Sequence, residues 1–365
     1  MKILWLSWRD ILNPEAGGAE VFTNEVLQRL AGIGYDITLF TARFPGSSES
    51  ERIDRIGVHR AGSKYGVYGK AKEFCIMYEE NFDVIIDEIN VRPFLTPKFV
   101  KRRPIVGLIH QVPRKALLYE LPFPINYIVY HYLVRGWLAN YREVPTMTVS
   151  ASQQELLKQF GVRKTFVVPE GLSVSPLGSV PLKESAPTVV FMGRLKKYKL
   201  ADHAVKAFSL IKKQIPEAKM YVIGDRDMRQ KLERMAHGDV TFLGRMSNQA
   251  KYDILRKAHL LLVPSVEEGW GLVVTEANAM GTPAVAYDVA GLRDSVKHDK
   301  TGVLTQDNTP HSMANAAVSL LQDRERLEKL SDNALKYART FSWDNTARAI
   351  EEIIKAVASE NYIKR

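Results

Sequence analysis

Glu268 and Glu276 stand with seven residues between them in the stretch Glu268-Gly269-Trp270-Gly271-Leu272-Val273-Val274-Thr275-Glu276. The first carboxylate falls on a glycine-flanked loop and the second one turn into an expected helix, so two acceptors can address one polyhydroxylated ligand. Gly269 and Gly271 let the backbone turn and approach a ligand closely. The N–H groups of a helix starting near Leu272 would face diphosphate oxygens with a favourable dipole. Two solvated acids at a helix start would give the same spacing, so the pair needs company. Basic residues supply it: Val189-Val190-Phe191-Met192-Gly193-Arg194 reads as a strand ending in Gly-Arg, and Lys199 follows five residues later. Arg grips a diphosphate bidentately and Lys acts as a point charge, although Lys196, Lys197 and Lys199 also suit a solvated helix start.

The elements that must position these groups are short apolar runs alternating with helical patterns. His259 to Val263, closed by Pro264, suits a buried parallel strand, and Gly281 and Pro283 mark a helix stop and a strand start. Lys2 to Ser7 is a first strand, and Gly17-Gly18 opens a helix with apolar positions Val21, Val26, Leu27 and Leu30. Such a Gly-Gly junction permits close approach to a phosphate or an acceptor, with the loop from Trp8 to Glu15 beside it. His110 closes the strand Ile105 to Ile109 at the carboxyl end, where open parallel sheets bind ligands, and Arg114 and Lys115 follow on the same loop. Further runs at Asp36 to Phe40, Asp83 to Asp87, Met147 to Ser150, Lys219 to Ile223 and Val240 to Leu243 complete a pattern of parallel sheets covered by helices.

At 365 residues, 45% hydrophobic and 25% charged, the chain has the size and composition of a two-domain globular protein. The expected division is 1–170, a Gly-, Ser- and Pro-rich hinge at 171–187, a second domain at 188–341, and a last helix at 342–365. Ser342 is that helix's expected N-cap, and Ala347, Ile350, Ile353, Ile354 and Val357 form its stripe.

Taken in order, these motifs resemble glycosyltransferase family 4, retaining enzymes whose hallmark is an E-G-F-G-L run leading to E-A-x-A-x-G-x-P-V-V. Here Trp270 replaces the Phe, and Ala277, Ala279, Gly281, Pro283 and Val285 fall in place. The resemblance implies an α/β fold of the GT-B kind: two Rossmann-like doubly wound parallel-sheet domains facing across a cleft, an acceptor-binding one first and a nucleotide-sugar-binding one second, the terminal helix crossing back. It implies Arg194 and Lys199 on a donor diphosphate, Glu276 on the ribose, and Glu268 with His110 on the sugar. Gly17, Gly18, Gly193, Gly224, Gly269, Gly271 and Leu272 would lie against the donor. The family places glycine after the lysine, whereas Leu200 follows here, which bears on the choice of Lys199 over Lys197.

The activity so implied is transfer of a hexose-type sugar, with retention, from a UDP- or GDP-sugar to a hydroxyl of a glycan or lipid-linked acceptor, in cell-surface polysaccharide, glycolipid or glycoprotein glycan assembly. No cofactor or metal is expected, because Asp225-Arg226-Asp227 falls where the family has a turn near the nucleobase. A nucleotide-sugar isomerase on the same architecture and a non-catalytic basic binding protein are the alternatives.

The net charge of +10 is concentrated. Between Arg92 and Arg142 the bases include Arg102, Arg103, Arg114 and Lys115, against the single acid Glu120, with the aromatic and aliphatic stretch 117–134 among them. That composition suits an anionic membrane surface, a buried helix or a subunit interface. No zinc-ligand spacing or RNP-like motif accompanies the charge, which argues against nucleic acid. One cysteine, Cys75, no signal-peptide pattern and no membrane-spanning run point to a cytoplasmic protein, peripheral on the membrane if 117–134 binds lipid.

Overall fold

The structure is a computed structural model that describes residues 1–112 and 114–363. It resolves into two compact units, one made of residues 1–114, 127–171 and 342–365, the other of 115–126 and 172–341.

The first unit is built on β1 (Lys2–Leu6), β2 (Asp36–Thr41), β3 (Ser50–Ile53), β4 (Ile56–Arg60), β5 (Val84–Ile89), β6 (Ile105–Ile109), β7 (Thr146–Thr148) and β8 (Thr165–Val167), in the order β3-β4-β2-β1-β5-β6-β7-β8. All neighbours are parallel except β3 and β4. β1 and β5 are buried on both faces, as strands covered by helices must be. The β3–β4 hairpin escapes the sequence reading because its strands are short and polar, joined through Asp54 at φ 52°. It ends on Arg60, fully buried against Asp10 (2.7 Å) and Glu51.

Helix Trp343–Ile363 completes this unit. Trp343 meets Phe22 edge-on at 5.6 Å, Thr346 donates to the Pro169 carbonyl at 2.7 Å, Arg29 pairs with Asp344 at 2.6 Å, and Tyr35 donates to Glu351 at 2.9 Å. Gly171 is required beneath it, since a Cβ there would come within 2.1 Å of the Trp343 ring.

The second unit carries β9 (Thr188–Met192), β10 (Lys219–Ile223), β11 (Val240–Gly244), β12 (Leu260–Val263), β13 (Ala284–Ala286) and β14 (Gly302–Leu304), all parallel, in the order β11-β10-β9-β12-β13-β14. This is the doubly wound dinucleotide-fold order, and its direction reverses between β9 and β12. Val189, Phe191, Leu260 and Leu262 face one core cluster, and Val190, Leu261 and Val263 another.

Two boundaries differ from expectation. The stretch 172–187 is bound to the second unit: Leu177 N–H donates to Ala279 O (3.0 Å) and Glu184 N–H to Lys257 O (2.9 Å). Lys183 Nζ reaches Gly281 O, Thr282 Oγ1 and Arg256 O at 2.8, 3.0 and 3.2 Å. The stretch forms no helix or strand, and these groups hold it through its backbone N–H groups and the Lys183 ammonium. Residues 115–126 also belong with the second unit, although the sequence places them inside the first. Residues 364 and 365 of the expected last helix lie outside the described residues.

Candidate functional site

In the second unit, the residues singled out by spacing converge at the carboxyl ends of β9 and β12, on both sides of the point where strand order reverses. Gly193 and Gly224 follow β9 and β10 at φ 156° and 134°. A Cβ on Gly224 would lie 1.9 Å from Gly193 O, so this edge closes only with glycine there. Arg194 Nη2 donates to Tyr198 Oη at 3.1 Å.

The turn Lys197–Lys199 then swings Lys199 inward, where its ammonium pairs with Glu268 Oε1. Leu200 sits at φ 50°, ψ 41°, the left-handed conformation in which glycine is the comfortable residue. The backbone therefore makes a turn that suits glycine with a leucine in it, and Lys199 rather than Lys197 reaches the carboxylate. Burial works against the Lys199 charge, but Glu268 outweighs it and holds its pKa above the usual value.

Glu268 Oε1 also accepts from Ser265 Oγ at 2.6 Å. Gly271, at φ 97°, precedes helix Leu272–Ala279, and Gly291 is required because a Cβ would come within 2.3 Å of Glu268 O. One turn into the helix, Glu276 Oε1 accepts from Lys251 Nζ (2.6 Å) and Tyr252 Oη (3.2 Å). Burial and Glu276 together push the Tyr252 hydroxyl up, keeping it a donor. Lys251, Tyr252 and Ser265 were not singled out in the sequence, because nothing local in it shows which side chains a neighbouring loop brings to a carboxylate.

Glu267 has a separate task. Its two oxygens accept from the backbone N–H groups of Lys115 (3.1 Å) and Ala116 (3.0 Å), fastening helix Lys115–Glu120 beside the Lys197–Lys199 turn. The Asp225 and Asp227 pair is likewise engaged, Asp225 with the Arg226 N–H (2.9 Å) and Asp227 with Lys196. Among the described residues, no three His, Cys, Asp or Glu side chains are grouped to hold a metal ion.

The first unit contributes its own set. His110, just past β6, is buried and holds Glu88 Oε1 through Nε2 at 3.2 Å, while Phe22 meets the ring edge-on at 4.9 Å. Glu88 Oε2 accepts from Trp5 Nε1 (2.6 Å) and Thr23 Oγ1 (2.8 Å). Burial opposes the imidazolium, but Glu88 outweighs it, with Glu170 and Glu20 adding, so the pKa of His110 is raised. Gly17 and Gly18 open helix Gly18–Gly32 as expected, yet the Gly17 N–H is taken by Glu20 Oε2 at 2.6 Å, and Glu20 Oε1 pairs with Arg9 at 2.9 Å. A phosphate would therefore meet the N–H groups after Gly17 rather than its own.

The four basic residues expected to act together do not form one patch. Arg102 pairs with Glu80, and Arg103 Nη2 donates to Glu80 O at 2.6 Å, both before β6 begins. Arg114 and Lys115 lie beyond its far end, across a strand of five residues, or roughly 16 Å.

Residues 178–337 match the family model of the glycosyl transferases group 1, a range that takes in the second unit's sheet and the site residues described there. Over those residues the chain is similar to the glycosyl transferases group 1, and it spans less than half the length of the D-inositol 3-phosphate glycosyltransferases it matches at 30% identity or more. A D-inositol 3-phosphate glycosyltransferase of Corynebacterium glutamicum is 32% identical over 185 residues, which covers 47% of this chain and 44% of that protein. An uncharacterized glycosyltransferase of Methanocaldococcus jannaschii is 24% identical over 97% of this chain and 98% of its own. Among solved structures, sucrose-phosphate synthase of Thermosynechococcus elongatus superposes with a TM-score of 0.82 at 19% identity, covering 98% and 99% of the two chains. WaaG, a glycosyltransferase involved in lipopolysaccharide biosynthesis, gives 0.75 at 15% identity over 96% and 99%. The fold of this chain is thus GT-B.

Proposed function

We propose that this chain is a glycosyltransferase that moves a hexose-type sugar, with retention, from a UDP- or GDP-sugar to an acceptor hydroxyl. The observation that carries this is the pairing of Lys199 with Glu268, beside Arg194, where the strand order of the second unit reverses. Arg194 and Lys199 hold the diphosphate, the helix start at Leu272 with Gly269 and Gly271 receives its oxygens, and Glu276 takes the ribose hydroxyls. Glu268 and His110 bind the sugar, and Gly18 lies by the phosphate or the acceptor. Support for the donor class comes from an Anabaena protein of the same fold, solved with UDP-glucose at a TM-score of 0.74.

The acceptor hydroxyl attacks on the face that the departing diphosphate leaves. The C–O bond to the phosphate breaks as the new glycosidic bond forms, and the phosphate oxygen takes the hydroxyl proton. Side chains then accelerate the reaction by positioning and by neutralising the leaving group. Cations and helix N–H groups do the neutralising, so the reaction needs no metal.

The acceptor is a glycan or a lipid-linked glycan, as in polysaccharide or glycolipid assembly, reached from an anionic membrane surface. Phe123, at 82% exposed, and Tyr132, at 66%, are the aromatic anchors of that contact. A second reading, an anionic polyol acceptor such as inositol phosphate, is favoured by the relative from Corynebacterium glutamicum.

A panel of nucleotide sugars in a thermal-shift assay identifies the donor, since a ligand at about 100 times its Kd adds roughly 2.7 kcal/mol. NMR of the product made with that donor, in EDTA, tests the rest. An inverted anomeric centre would reject retention, and full inactivation restored by manganese would give Asp225 and Asp227 a metal. Interconversion of the free donor without acceptor would point to an isomerase instead.

A further inference from the structure

The carboxyl edge of the first unit's sheet carries polar groups with no use in the reading above. Asn90 directly follows β5 and His110 directly follows β6, and Ile89 and Ile109 are register partners, so the two residues leave adjacent strands side by side. Strand order in this unit reverses between β1 and β5, and open parallel sheets bind ligands outside the carboxyl ends at such a point. Among the described residues, neither Oδ1 nor Nδ2 of Asn90 has a hydrogen-bond partner, although both are shielded from solvent. Glu170, beyond the end of β8, is 5% exposed and feels the charge of His110, and its Oε2 also has no partner among the described residues.

Several neighbouring groups at this end of β1, β5 and β6 are met from within the chain, although Thr41 Oγ1 and Arg60 Nη2, at the ends of β2 and β4, are not met among the described residues. Both oxygens of Glu88 are engaged, by His110, Trp5 and Thr23. The Pro169 carbonyl is engaged by Thr346, and Trp343 packs over Gly171. Buried amides and carboxyls normally find partners, and leaving them unmet is costly. Three such atoms beside one histidine therefore describe a place made for hydroxyls from outside the chain. Asn90 as a residue is only half-buried, so a rotation of its side chain presents the amide at the edge.

We propose that Asn90 and Glu170 are sugar-binding residues that, beside His110, take the ring hydroxyls of a pyranose. The amide donates to one hydroxyl and accepts from its neighbour, which suits vicinal hydroxyls, and the carboxyl takes a third. The sugar is either the donor's or the acceptor's, and the inference rests on the nucleotide-sugar reading above.

The test uses the full chain with Asn90→Leu and Glu170→Met, both close in volume to the native residue. Calorimetry compares UDP with UDP-glucose for the donor arm, and titrates methyl α-glucoside in the presence of UDP for the acceptor arm. UDP affinity should not change. The advantage of UDP-glucose over UDP, or the affinity for the glucoside, should fall tenfold or more, while the melting temperature without ligand rises by a few degrees as unmet polar atoms disappear. Unchanged sugar affinity in both arms overturns the proposal, and so does a fall in melting temperature with weakened UDP binding, the result of a structural role. If the wild-type chain binds no nucleotide sugar, the reading above fails separately. The glucoside alone then decides: binding lost in the variants supports the proposal, and no binding to the wild type rejects it.

Discussion

Arg194 and Glu170 differ in whether a side chain's contribution registers in the reaction alone or in stability as well. Arg194 follows Gly193 at the carboxyl end of β9, near the Lys199–Glu268 pair, and its cost when lost should fall on the reaction rather than on the fold. Arg194→Ala is expected to raise the barrier by about 2 to 4 kcal/mol, as removal of other groups that stabilise developing negative charge does. The fall in kcat/KM should come with an unaltered melting curve, and wild-type turnover would remove Arg194 from the diphosphate. Glu170, besides the sugar contact proposed above, acts on stability through its burial. Burial pushes its carboxyl from 4.5 up to about 7, against the opposing charge of His110. Between those two values the unfolded chain has released the proton that the folded chain keeps, so stability falls as pH rises from about 4.5 to about 7 and is level above. Glu170→Gln should flatten this slope, and its advantage should grow to at most about 3 kcal/mol by pH 7 to 8 in denaturant titrations. Equal slopes in the two proteins would show that Glu170 is not held protonated.

At the scale of elements, the site was legible where its residues lie on one strand–loop–helix unit. Glu268, Gly271 and Glu276 are fixed relative to one another by a strand end and a helix turn, so spacing alone locates them. The partners that set their charge and direction, Ser265, Lys251 and Tyr252, were not, because they come from tertiary packing that no local period records. The same holds for Glu88, which reads as one more residue of a buried strand until β6 is laid beside β5. Leu200 is the reverse case: the sequence raised a doubt that the backbone answers. Leu200 takes the left-handed turn with partial burial against the core of the second unit, so Leu200→Ala loses packing and keeps the strain. Leu200→Gly loses the same packing but relieves about 1 kcal/mol of strain. The glycine variant should therefore be the more stable of the two by denaturant midpoint, opposite to the usual order of Ala and Gly in and around helices. An alanine variant as stable as wild type would show that the turn is not strained.

For the whole molecule, the alternation of strands and helices made two parallel-sheet units legible, because each strand is apolar along its length and each connection long enough for a helix. The path of the chain between them was less so. Residues 115–126 join the second unit through two backbone N–H groups held by Glu267, a contact over some 150 residues that composition cannot announce. The excess of positive charge is also a property of the whole chain, and its division bears on membrane attachment. Arg102 and Arg103 are tied to Glu80 at one end of β6, while Arg114 and Lys115 adjoin the exposed aromatic stretch beyond the other. Each base near an anionic surface contributes about 1 kcal/mol, so only those beside the aromatic side chains can add to their burial. No helix among the described residues is long and apolar enough to cross a membrane. Co-sedimentation with vesicles containing phosphatidylserine should show salt-sensitive binding. Arg114→Glu with Phe123→Ser should weaken it at least tenfold, whereas Arg102→Glu with Arg103→Glu should leave most of it. Equal losses from the two pairs would mean that net charge, not this surface, draws the chain to lipid, and no binding by the wild-type chain at low salt would favour an acceptor in solution.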